Sequence, residues 1–164
     1  MSMSKSPQFD NYAVYGLGTY WALFVLLPRI YGEFLLSQAN NGHFFLTRPR
    51  TLELEAEIRT KVPAETWTWY KKLEGLKDVC LAEFPLYVAA VVLGSCAFKD
   101  KGNFNTLSGV YFALRSLHAC LYLLGRGSRA LWARVWVGLA ANGVLLGLLL
   151  EAARRMQDKV VLFI

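Results

Sequence analysis

Charge is scarce in this chain. Of 164 residues, 18% are Asp, Glu, Lys or Arg and 55% are hydrophobic, with a mean hydropathy of +0.31. An ordinary water-soluble domain carries about 25% charged residues, so that class is excluded. No stretch has the spacing of a zinc, haem, Walker or Rossmann motif, and neither a metal site nor a nucleotide fold is expected. Cys80, Cys96 and Cys120 are odd in number and fall inside apolar stretches, which implies free core thiols rather than disulfides. Those stretches lack period-two alternation and are rich in Leu and Ala, which argues against strands. Internal repeats and low-complexity segments are also missing. A cleavable signal peptide is not expected. The first apolar stretch is long for such a core, and no small-residue cleavage site precedes the next polar loop.

What is present is four apolar stretches: 12–36 (interrupted by Pro28, Arg29 and Glu33), 79–98, 107–124 and 130–153. Each is roughly 18–25 residues, enough to cross a hydrocarbon core of about 30 Å. The expected fold is therefore a single all-α integral membrane domain over 1–164, a bundle of four transmembrane helices. Met1–Asp10 reads as a disordered polar lead-in. The first connection, 37–77, is long and contains Asn40-Asn41-Gly42, the Arg48-Pro49-Arg50 turn and the acids Glu53, Glu55 and Glu57. The second (99–106, with Gly102) and third (125–128, with Arg126) are short, making spans two to four antiparallel neighbours. Trp67, Trp69 and Tyr70, just before span two, suggest an interfacial aromatic belt. Gly94, Gly109, Gly138, Gly143 and Gly147 would allow close helix contacts.

The net charge of +6 could suit nucleic acid, but the positive charge lies in the connections and no recognition motif accompanies it, so nucleic acid is excluded. Eleven Lys and Arg residues lie on the side of the first and third connections and six on the other. The positive-inside tendency then places the long connection in the cytosol.

Arg115, His118 and Tyr122 stand within the third stretch. Separations of three and seven put them on one helical face. An ionised group at bilayer depth costs several kcal/mol without partners, so such a cluster is a candidate site. Arg can grip a carboxylate or phosphate bidentately, and His can move a proton near neutral pH. The other reading is a hydrogen-bond network that locks helices together. Arg129, seven residues after Tyr122, would return to the same stripe if the helix end were slightly irregular, and a guanidinium there would favour a nearby thiolate. Arg126 reads instead as an anchor for lipid headgroups. On span two, Glu74, Asp78 and Leu81 share a face, and Glu83 lies about 140° from Asp78. Glu83 needs a cation, with Arg115 or Arg129 as candidates. Arg29 and Glu33, four apart, can pair along span one.

Four spans, a long basic first connection, Glu-Phe-Pro-Leu-Tyr (83–87) and Arg-x-x-His-x-x-x-Tyr (115–122) together resemble the MAPEG family, the membrane-associated proteins of eicosanoid and glutathione metabolism. The third span is most similar to the membrane prostaglandin E synthases, and the resemblance covers about Tyr12 to Ala153. It implies a homotrimer, seated in the endoplasmic reticulum membrane, with glutathione bound between protomers near the cytosolic face. Carried over by position, Arg115, Tyr122 and Arg129 would contact glutathione, Asp78 falls on the Asn of the family's span-two pattern, and Glu83 would replace the missing acid only if that helix rotates. Arg129 would stabilise the thiolate, and His118 and Tyr122 would join it in catalysis. The family's Arg-x-x-x-Asn-x-x-Glu pattern before the span-two proline falls here on Glu74, Asp78 and Leu81, a departure that weakens the expected glutathione site. Two enzymatic readings stay open. One is a glutathione-dependent transferase, isomerase or peroxide reductase acting on a lipophilic substrate. The other is a thiol-independent isomerase or cyclase on the same fold. A non-catalytic membrane subunit is the third reading.

Overall fold

The computed structural model describes residues 11–41, 52–98 and 101–161, and no strand occurs among them. The lead-in Met1–Asp10, Gly42 and the Arg48-Pro49-Arg50 turn lie outside the described residues. Among the described residues five helices follow one another: α1 (Tyr12–Ala39), α2 (Leu52–Lys61), α3 (Ala64–Ala97), α4 (Lys101–Leu124) and α5 (Gly127–Val161). Four of them are long and apolar enough to cross a membrane, which defines an integral membrane architecture.

The helices overrun the apolar stretches. At 34 residues α3 is about 51 Å long, well beyond a hydrocarbon core of about 30 Å. Most of the second half of the expected loop 37–77 is thus helical, because α3 begins at Ala64 and α2 occupies Leu52–Lys61. Trp67, Trp69 and Tyr70 lie within α3 rather than ahead of it. Tyr70 is buried, stacked obliquely on the half-buried Trp67 at 5.4 Å, while Trp69 is exposed. Leu54 and Ile58 of α2, one turn apart, close with Val62 and Tyr70 over Leu36 at the end of α1. Lys71 reaches across to Glu55 at 2.9 Å. Similarly, Gly102 to Thr106, expected as a connection, form the first turns of α4.

Pro28 sits inside α1. A proline cannot donate to the carbonyl four residues back and its ring crowds that carbonyl. The chain responds with a π-helical turn over Ala22–Leu26, immediately upstream. The buried residues Tyr20, Phe24, Pro28, Gly32 and Leu36 then recur every fourth position. Pro85, on the exposed side of α3, leaves the helix assignment continuous.

The other three long helices share a seam of three-four spacing, the signature of coiled-coil-like packing. On α3 it runs Leu73, Leu76, Cys80, Glu83, Tyr87, Ala90, Gly94 and Ala97; on α4 Phe104, Ser108, Tyr111, Arg115, His118 and Tyr122; on α5 Arg134, Gly138, Ala141, Leu145, Leu148 and Ala152. All are buried or half-buried. The tight reversal between α4 and α5 uses Gly127 at φ +81°, a backbone region that glycine enters without a Cβ penalty. Phe104 fills the space a side chain at Gly94 would need, and His118 does the same at Gly138. Gly109, Gly143 and Gly147 meet nothing within 4 Å among the described residues, so the close contacts expected of them are not made there.

Candidate functional site

The middle of the bundle is aromatic. Tyr20 of α1 lies 5.2 Å from Tyr87 and 5.7 Å from Phe84, and Tyr87 lies 4.8 Å from Tyr111, ring centre to ring centre. Tyr20 donates to the Cys80 carbonyl at 3.2 Å. Tyr111 Oη is buried without a hydrogen-bond partner among the described residues.

Arg115 lies one helical turn beyond Tyr111 and is 1% exposed. Its Nη1 stands 2.8 Å from Glu83 Oε2, and Nη2 points at Cys80 Sγ at 3.5 Å. The Glu83 contact is close in distance but poorly aligned for a hydrogen bond, and Nε has no partner among the described residues. The cation sought for Glu83 is therefore Arg115. No rotation of α3 is needed, since Cys80 and Glu83 are three apart on the same inward seam.

The expected single face of Arg115, His118 and Tyr122 exists, and it turns inward. The three side chains diverge along it. His118 packs on α5, where a Cβ at Gly138 would stand 3.2 Å from its Cδ2, and its Nδ1 is buried and unpartnered. Tyr122 reaches α3, its hydroxyl occupying the place a Gly75 side chain would take. The two rings are 6.4 Å apart. Arg134 of α5 lies over the Tyr122 ring, 4.8 Å from its centre, a cation–π contact. Two small residues, Gly75 and Gly138, thus make room for the polar groups between three helices.

Two expected members are elsewhere. Arg129 does not continue the α4 stripe: the helix ends at Leu124, the chain passes through Gly125 and Arg126, and Arg129 is exposed on the first turn of α5. Asp78 is 62% exposed and paired with its neighbour Lys77 at 3.1 Å, on the opposite side of α3 from Glu83. Asp78 thus lies outside the cluster formed by this chain: the 140° between it and Glu83 puts one outside and the other in the seam. Glu74 pairs with Lys71 at 3.2 Å, and Leu81 is exposed. Arg29 and Glu33 pair along α1 at 3.3 Å. Arg126 lines a surface cavity of about 430 Å³ with Trp69 and Lys72 at the α3 start.

Sequence reading missed Arg134 and Cys80 as members of the cluster. By sequence, Arg134 is one of the eleven cations on the side of the first and third connections. Its signal was the three-four spacing to Gly138, Ala141 and Leu145. For Cys80 the signal was its place three residues before Glu83.

Chemically, the cluster holds one carboxylate, two guanidiniums, an imidazole, a phenol and a thiol. Arg115 is neutralised within the chain, whereas Arg134 is held by an aromatic face. The unpartnered atoms, Arg115 Nε and His118 Nδ1, offer hydrogen bonds to something further. Comparison with family models, with curated proteins and with solved structures returns no match.

Proposed function

We propose that the chain is a MAPEG-like membrane enzyme that acts on a lipophilic small molecule and uses glutathione as its thiol. The observation that carries the reading is the buried Arg115, set in the same inward seam as His118 and Tyr122 and followed across the helix interface by Arg134. Buried polar groups at bilayer depth are retained against a large desolvation cost, which favours a role beyond packing. An anionic tripeptide suits a site with one more guanidinium than carboxylate. Arg129 completes the site from a neighbouring protomer: it is exposed on the first turn of α5, where it can face one. Gly143 and Gly147, four apart and exposed on α5, support assembly, since small residues at that spacing let helices approach. The homotrimer, the endoplasmic reticulum location and the cytosolic long connection belong to the same proposal.

Thermal melting of the detergent-solubilised protein tests it. Millimolar glutathione should raise the melting temperature, and Arg129→Ala should abolish that rise. No shift in the parent protein would remove glutathione from the reading. One observation favours a second reading, a thiol-independent isomerase or cyclase: Glu83, the acid of the α3 seam, is already paired with Arg115 and so is not free for the glutathione amino group. Turnover of a lipophilic substrate without thiol, lost in His118→Ala, would support it.

A further inference from the structure

A groove of about 320 Å³ opens at the other end of the bundle, between the start of α1 and the first half of α4, with Tyr87 of α3 at its floor. That volume is at the lower end for small-molecule sites. Its walls include Gly16, Gly109 and Phe112, and its rim carries the exposed Tyr12 and Tyr15. Among the described residues, every one that lines it is uncharged. A carboxylate or phosphate would therefore enter without a counter-charge, which selects against both.

The floor is polar. Tyr87 Oη and Ser108 Oγ are 3.3 Å apart, in side chains 1% and 4% exposed, and either can be the donor. Each hydroxyl carries one proton, and a single bond between them uses one. The second O–H has no acceptor among the described residues. A buried donor without an acceptor is costlier than an oxygen lone pair left open. Gly16 permits this arrangement, because a Cβ there would stand 2.7 Å from Tyr87 Oη.

We propose that this groove binds an uncharged lipophilic molecule through a hydrogen-bond-accepting carbonyl, placed against the Tyr87–Ser108 hydroxyl pair. A ketone or ester accepts the spare proton and brings no donor of its own. The walls take its hydrocarbon portion, and entry is lateral, between two membrane-spanning helices. This site is separate from the Arg115 cluster and does not rest on glutathione use.

The experiment is photolabelling of the full-length protein in lipid nanodiscs, with labelled peptides located by mass spectrometry. Three probes of equal chain length carry the same diazirine: a methyl ketone, the matching hydrocarbon and the fatty acid. The ketone should label the α1 and α4 peptides bordering the groove over the hydrocarbon by roughly fivefold, the worth of one net hydrogen bond, and the acid should label them least. Gly109→Leu projects into open groove space and suits a helix better than glycine, so it should keep the helical circular dichroism and reduce labelling to background. Tyr87→Phe or Ser108→Ala alone leaves one hydroxyl and should keep the ketone preference, whereas the double variant should lose it. Equal labelling by ketone and hydrocarbon would overturn the proposal, as would labelling unchanged in folded Gly109→Leu. Dissociation of an oligomer by Gly109→Leu on native mass spectrometry would also overturn it, assigning the groove to a second copy of the chain.

Discussion

Glu83→Gln tests whether the centre of the bundle depends on an ion pair. Arg115 is 1% exposed and Glu83 21%, with 2.8 Å between the charged atoms. Removing the carboxylate's charge leaves the guanidinium buried with a thiol as its remaining neighbour, and Cys80 sulfur is a weak acceptor. Breaking a buried pair from one side costs about 3–5 kcal/mol, because a charge is left uncompensated. Two features set the expectation at the lower end, about 3 kcal/mol: Glu83 retains some exposure, and the glutamine oxygen can still accept a hydrogen bond. For a chain of this length, that corresponds to a fall of roughly 6–12 °C in melting temperature. The assay is circular dichroism melting in detergent. Arg115→Met in the Glu83→Gln background removes the stranded charge and should recover most of the loss. If Glu83→Gln melts within a degree of the parent, or if the double variant is no better than the single, the reasoning fails and the pair is not what holds the seam.

Gly75→Ala should lower the melting point, by about 1–3 kcal/mol of overpacking against the Tyr122 hydroxyl less about 1 kcal/mol of improved helix propensity. Tyr122→Phe should relieve much of that loss when the two are combined, as a double-variant melting cycle would read. Arg134→Ala should cost about 0.5–2 kcal/mol through the lost Tyr122 face contact, and the same cycle with Tyr122→Leu should show the two effects to be coupled. Arg129→Ala should leave the melting temperature without ligand within about 0.5 kcal/mol of the parent, because the side chain is exposed, and any loss of a glutathione response would then be a binding effect. Lys71→Ala should cost no more than about 1 kcal/mol and respond to salt, since its pair with Glu55 is well exposed.

The helices were legible to different depths. Hydropathy marks only the apolar part of a helix, so the span at 79–98 was evident while its charged first turns from Ala64 were not. Those turns stay helical because Tyr70, Leu73 and Leu76 continue the inward spacing of Cys80 and Glu83 and are buried, Tyr70 against α1 and α2 and Leu76 in the bundle core. Pro28 announced a disturbance in α1, but its form, a π turn one step upstream, depended on the packing of Tyr20 and Phe24.

Residue order alone determined that four helices are long and apolar enough to cross a membrane, and that Arg115, His118 and Tyr122 share a face, since both follow from local hydropathy and a period of 3.6. Which neighbour each of those groups meets was decided only by the tertiary structure. Arg115 meets Glu83, His118 meets Gly138, and Tyr122 lies between Gly75 and Arg134. The reason is physical: a helix fixes the direction of its own side chains, but the register and approach of its partners depend on how three seams interlock. That interlocking is set by small residues far apart in the chain.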